Sequence, residues 1–148
     1  MDPLAVLKSV ELFEGLSEAE LDSVLEICHQ HSFKAGDLIT EQGRPGDELF
    51  VIQDGFVEVL RQESQTDPAP KTVVNLGPGQ IVGEMALVDR GLRSATVRAI
   101  SNETIVQVIQ RDDFDRLCED NHHLGYTVMR NIAADLSFKL RHSHFSNR

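Results

Sequence analysis

Tryptophan is absent from the chain, cysteine occurs twice, and basic residues are outnumbered, with 14 Lys and Arg against 24 Asp and Glu. Each shortage excludes something. A net charge of −10 argues against the body of the protein docking on nucleic acid, and it would repel an anionic ligand at long range, so any phosphate site must work by local geometry. Two cysteines are too few for a disulfide framework. Cys28 continues the apolar spacing of Leu21, Val24 and Leu25, and Cys118 sits with Phe114 and Leu117, so both are expected as buried thiols at helical spacing. No apolar run approaches the roughly 18 residues that span a bilayer. The start, Met1-Asp2-Pro3-Leu4, lacks the basic stretch and small-residue cleavage site of a secretory signal, so a cytoplasmic protein is expected, without a membrane partner. Nucleophilic catalysis lacks support, because no Ser or Cys sits in a recognisable activating motif.

What remains is an ordinary globular composition, 41% hydrophobic and 26% charged, over 148 residues. That length is read as one domain, residues 1–148, large enough to bury a real core. Helices are expected over 3–28: Asp2 caps a helix with Pro3 at its first position, and Ser17 with Glu20 makes a capping box for a second running to about Cys28. From 29 to 110 short β-rich runs alternate with glycine turns at Gly36, Gly43, Gly46, Gly55, Gly77 and Gly79. That rhythm predicts a β-roll or barrel of about eight strands. The polar stretch Gln62–Lys71 is expected as a hairpin tip, and the Asp54-Gly55 turn as a hairpin joining Phe50 and Ile52 to Val57 and Val59. Helices return over 111–142: a short one from Arg111 to Glu119, then a longer one capped by Asn121. On the longer helix Leu124, Val128, Ile132, Leu136 and Leu140 recur every four residues.

The most specific stretch is Val82-Gly83-Glu84-Met85-Ala86-Leu87, followed by a loop and then Arg93-Ser94-Ala95-Thr96-Val97. A glycine and a carboxylate open a short helical turn, and an arginine follows ten residues after the glycine. Backbone N–H groups and a guanidinium suit a phosphate, and a carboxylate suits a free hydroxyl on the same molecule. This segment resembles the phosphate-binding cassette of the cyclic nucleotide-binding domain family, whose pattern is close to Gly-Glu-x-Ala-Leu, a loop, then Arg-small-Ala-Thr. A second point of resemblance is Gly43-Arg44-Pro45-Gly46-Asp47, leading into the Leu49–Ile52 strand, the Gly55 turn and the Val57–Val59 strand.

The resemblance covers about Leu12 to Leu140 and implies an eight-stranded antiparallel, jelly-roll-like β-roll with N-terminal helices, a short cassette helix and a long C-terminal helix. It implies a regulatory sensor of cyclic AMP or cyclic GMP, not an enzyme, with no cofactor or metal. Gly83 would admit the ligand close to the backbone, Arg93 would pair with the phosphate, and Glu84 would accept the ribose 2′-hydroxyl. Met85, Ala86, Ser94 and Ala95 would line the ligand, with Val59 and Val73 near the base. Ser94 bears on the choice of base: catabolite activators, which use cyclic AMP, commonly carry Ser there, so cyclic AMP is favoured. At the place where activators touch adenine from the long helix, this chain has Phe138, Lys139, Leu140 and Arg141, and Phe138 or Arg141 is considered as a stacking cap. Activators also dimerise through that helix, which makes 122–142 a candidate homodimer seam. Their DNA-binding domain would lie beyond Arg148, so no nucleic-acid partner is expected, and the effector protein is left unidentified.

Two other readings draw on other parts of the sequence. A cupin-type metalloenzyme would draw on His29, His31 and Glu41, but a third histidine at suitable spacing is lacking. A protein-interaction module with a vestigial pocket would use the helices and the basic stretch Arg130–Arg148.

Overall fold

The computed structural model describes residues 1–62 and 69–146. Four α-helices bracket eight strands. Helix α1 (Pro3–Ser9) starts as expected: the Asp2 side chain accepts from Ala5 N, and Pro3 occupies the first turn. A 3-10 turn, Glu11–Phe13, connects to α2 (Glu18–Glu26), where Ser17 and Glu20 complete both halves of the capping box. Helix α2 ends at Glu26, so Cys28 opens the first strand instead of closing the helix. Both cysteines are free and half-buried, packed against the main core. Burial pushes the thiol of Cys28 up to about 12 and that of Cys118 up to about 11, which leaves both as inert packing groups.

The strands are β1 (Cys28–Phe33), β2 (Leu38–Thr40), β3 (Glu48–Asp54), β4 (Val57–Arg61), β5 (Lys71–Leu76), β6 (Ile81–Val82), β7 (Thr96–Ala99) and β8 (Thr104–Gln110). They form two antiparallel sheets, in the orders β1-β8-β3-β6 and β2-β7-β4-β5. This is the β-roll anticipated from the glycine rhythm, with one correction. The Asp54-Gly55 turn does not close a hairpin. Both hydrogen-bonding edges of β3 are already occupied, by β8 and β6, so β4 crosses into the other sheet and pairs with β5 and β7. Gly55 makes the crossing at φ +85°, and a Cβ there would stand 2.7 Å from Glu103 O. Strands β4 and β5 do pair antiparallel on either side of the 62–71 stretch, whose residues 63–68 lie outside the described residues.

Strand β3 is buried on both faces, which explains its unbroken apolar run. Leu49 and Val51 face the helices, in a core with Val6, Leu7, Phe13, Phe114, Leu124 and Val128. Phe50 and Ile52 face the inside of the roll, Phe50 with Val106 and Val108, Ile52 with Val57 and Val97. Helix α3 (Arg111–Asp120) follows β8 directly, and Asn121 then caps α4 (His122–Ser146) by accepting from Leu124 N. The α4 stripe divides its duties. Leu124, Val128 and Ile132 are fully buried in the core, Leu136 packs at its margin, and Leu140 is exposed. No helix among the described residues is long and apolar enough to cross a membrane.

Candidate functional site

A cavity of about 730 Å³ lies between the roll and the last third of α4. That volume falls within the range that holds a small organic ligand. Its floor is the segment Val82–Ala86, a 3-10 turn over Glu84–Leu87 that begins where strand β6 ends. Gly83 makes that join at φ +85°, a left-handed conformation that disfavours any side chain. The turn is closed by Ala86 N donating to Gly83 O at 3.0 Å.

Arg93 enters from the opposite wall. Its backbone is pinned to the turn before β3: Arg93 N donates to Arg44 O at 2.8 Å, and Gly43 N donates to Arg93 O at 2.9 Å. The guanidinium then threads between two glycines. A Cβ at Gly46 would stand 2.1 Å from Arg93 Nε, and one at Gly83 would stand 2.4 Å from a terminal nitrogen. Phe50 backs it, its ring centre 5.6 Å from Arg93 Cζ. Among the described residues its only hydrogen-bond partner is Glu48 O, at 2.9 Å, and it makes no ion pair. Burial pulls its pKa below the ordinary guanidinium value, with the Glu48 and Asp47 charges only partly offsetting that pull. A guanidinium stays charged in such surroundings, so the site carries a half-buried cation.

Glu84 and Arg93 do not pair with each other. Glu84 is 9% exposed, and its Oε1 accepts from Lys139 Nζ at 2.6 Å. Lys139 also reaches Asp135 on its own helix, at 3.0 Å. Burial draws the Lys139 pKa down, but the bonds and charges of Glu84 and Asp135 outweigh it and the net shift is upward. Of the charged groups lining the cavity, the Glu84 carboxylate is thus tied to the closing helix, while the Arg93 guanidinium is hydrogen-bonded, among the described residues, only to a carbonyl.

The nine residues that the resemblance assigned to the ligand all line this cavity: Gly83, Glu84, Met85, Ala86, Arg93, Ser94, Ala95, Val59 and Val73. The Ser94 side chain makes no hydrogen bond to any described residue. Val59 and Val73 stand beside Val74, Leu76 and Val97, giving the roll side an apolar wall. The caps considered on α4 are not the residues that face the cavity. Phe138 stacks on His142, with ring centres 3.9 Å apart, and points into a different groove; Leu136, Lys139 and Leu140 line the cavity instead. Helical geometry explains the correction, because Lys139 and Leu140 lie three and four residues beyond Leu136, on the apolar side of the helix.

Three further residues act on this site that sequence reasoning missed. Gly46 was legible only as a turn, since its tight approach to Arg93 joins positions far apart in the chain. Arg111 is buried and donates to Asp89 O at 2.8 Å and Ala86 O at 3.5 Å, holding the exit of the cassette turn from the start of α3. Lys139 carried a weak signal in its spacing from Asp135 and Leu136. The histidine pair leads elsewhere: His29 sits 3.9 Å from Asp113, and no group of three metal-capable side chains meets among the described residues.

A β-roll with a glycine-opened cassette turn, a half-buried arginine and a helix across the mouth defines a class of small-ligand regulatory domains. Comparison with known proteins identifies the class. Residues 30–121 match the family model described as cyclic nucleotide-binding domain, and the chain belongs to that family. It is 33% identical over 114 residues to cGMP-dependent protein kinase, isozyme 1, of Drosophila melanogaster, covering 77% of this chain and 15% of that protein. It is 31% identical over 138 residues to the cyclic AMP receptor protein of Thermus thermophilus, covering 90% of this chain and 63% of that one. Among solved structures, the catabolite activator protein of Thermus thermophilus superposes with a TM-score of 0.81 at 31% identity, over 92% of this chain and 61% of that one. The regulatory domain of Toxoplasma gondii PKA with cAMP superposes with a TM-score of 0.77 at 25% identity, over 90% of this chain and 48% of that one. The chain thus corresponds to the regulatory ligand-binding part of such proteins and spans well under a fifth of the kinase relatives.

Proposed function

We propose that this protein binds a 3′,5′-cyclic nucleotide in the cavity under α4, cyclic AMP in preference to cyclic GMP, and passes the bound state on through α3 and α4. The observation that carries this is Arg93: a half-buried guanidinium wedged between Gly46 and Gly83 and hydrogen-bonded, among the described residues, only to a carbonyl oxygen. A cyclic phosphate is a fitting partner for that guanidinium, with the backbone of the cassette turn beside it. Glu84 accepts the ribose 2′-hydroxyl, and Met85, Ala86, Ser94 and Ala95 surround the sugar and phosphate.

The preference for cyclic AMP is supported by the walls around the base. From β4, β5 and α4 they are Val59, Val73, Val74, Leu76, Leu136 and Leu140, with Arg61 and Lys139 as the polar exceptions. Such a wall offers the extra polar edge of guanine few partners beyond the Ser94 hydroxyl. Relatives divide on this point: a cyclic AMP receptor protein is similar over 90% of the chain and a cGMP-dependent protein kinase over 77%, so the preference rests on the walls.

Transmission runs through packed contacts. Leu87 of the cassette and Phe114 of α3 share the main core, and Arg111 ties the cassette carbonyls to α3. A ligand that draws the cassette inward therefore pulls on α3 and α4, and it shifts that equilibrium only by its preference for the closed arrangement. The output passes to an effector protein or to further chain. Tyr126, Ala133 and Leu140 lie seven residues apart on α4 and are exposed, a spacing suited to a helix seam with a second copy.

The test is equilibrium binding of cyclic AMP to the wild type and to Arg93→Ala. The substitution is expected to cost roughly 2–5 kcal/mol, about 30-fold or more in affinity. Unchanged affinity in the variant removes the phosphate assignment.

A further inference from the structure

Glu84 stands where the cavity and the closing helix meet. Glu84 is only 9% exposed, and among the described residues only its Oε1 is engaged, by Lys139; Oε2 has no hydrogen-bond partner there and keeps some exposure. Lys139 bridges two carboxylates, Glu84 on the cassette and Asp135 on α4. An ionised carboxylate offers about four acceptor positions, so one ammonium leaves room for a second donor. Space is not contested either, because the cavity of about 730 Å³ exists with the bridge formed.

We infer that Lys139 is a positioning residue for the ribose subsite: it holds Glu84 by Oε1 so that Oε2 meets the ligand's 2′-hydroxyl, and it thereby ties the end of α4 to occupancy of the cavity. The inference rests on the cyclic nucleotide reading above. The physical basis is charge compensation. A buried carboxylate keeps its ionised form and its direction when a cation is bonded to it, and an ionised acceptor makes the stronger hydrogen bond to a hydroxyl. Without the lysine, the Glu84 carboxylate loses the partner that fixes its direction and gains by turning toward water. The loss then falls on ligands that carry the hydroxyl and spares those that lack it.

The experiment is calorimetric titration of cyclic AMP and of 2′-deoxy cyclic AMP into the wild type, Lys139→Met and Lys139→Arg at one ionic strength. Lys139 is 58% exposed, so these substitutions leave the fold intact. Lys139→Met is expected to weaken cyclic AMP about tenfold and the deoxy analogue less than about twofold, with Lys139→Arg restoring most of the loss. Equal losses for both ligands would overturn the inference, because they would mark a general effect on the closing helix. Unchanged or tighter binding of cyclic AMP would overturn it as well. If the wild type binds neither nucleotide, the cyclic nucleotide reading fails and the inference with it; wild-type binding with parallel losses sinks the inference alone.

Discussion

Arg93 owes its geometry to two positions where a side chain is excluded. At Gly83 the exclusion is double, since φ is +85° and a Cβ would meet both the guanidinium and Glu48 O, at 2.4 and 3.0 Å. Gly83→Ala is therefore expected to lower the urea midpoint by the equivalent of about 1–2 kcal/mol and to weaken cyclic AMP binding. Gly46 is not in the left-handed region, so Gly46→Ala displaces Arg93 without that backbone strain. Paired urea titrations and binding curves should show Gly46→Ala losing affinity with less loss of stability than Gly83→Ala; the reverse order contradicts this account of the arginine. Ser94→Ala is expected to leave cyclic AMP within about threefold while weakening cyclic GMP further, because the free hydroxyl is a partner for the guanine amine. Competition binding checks it. Gly83, Glu84 and Arg93 were legible from the sequence because the cassette is nearly continuous in the chain. Gly46, Arg111 and Lys139 were not, because each reaches the site from a separate element, and no local pattern records a contact such as Arg111 to Asp89 across 22 residues or Lys139 to Glu84 across 55.

At the scale of elements, the helices were readable from their caps and the roll from its turns, while strand partners were not. A glycine turn between two apolar runs is consistent with a hairpin, and only the crowding of β3 by β8 and β6 sends β4 to the other sheet. The helices are joined by a contact equally invisible locally. Glu20 caps α2 through Ser17 N at 3.0 Å and also accepts from Asn121 Nδ2 at 3.0 Å, with His123 Nδ1 at 2.9 Å. The Ser17 bond, then His123 and Asn121, hold its carboxyl down to about 2 from an ordinary 4.5, against the opposing pull of burial. The folded pKa is the lower one, so the unfolded chain takes up the proton first as pH falls. The stabilisation is complete above about 4.5 and is lost as pH falls toward about 2. Urea midpoints measured across that interval should fall more steeply for the wild type than for Glu20→Gln. Parallel curves would show that the α2–α4 junction does not depend on this charge.

Taken whole, the molecule is an acidic shell around a cavity that carries Arg61, Arg93 and Lys139 against Glu84 and Asp89. Long-range attraction of an anion is weak for such a body, so affinity must come from contacts made inside the cavity. The unpartnered face of α4 belongs to this scale too. Tyr126 is 64% exposed and Leu140 72%, with Ala133 between them. Sedimentation is expected to show a concentration-dependent dimer for the wild type and a monomer for Ala133→Glu, with cyclic AMP affinity retained because Ala133 does not line the cavity. An Ala133→Glu protein that sediments like the wild type would place any association elsewhere.

The most direct test of the central claim is calorimetric titration of cyclic AMP and cyclic GMP into protein first freed of co-purified nucleotide, with Arg93→Ala alongside. Saturable binding of both is expected, with cyclic AMP the tighter, and a loss of about 30-fold or more in the variant. Equal binding by the variant, or no heat from either nucleotide with the wild type, would contradict it.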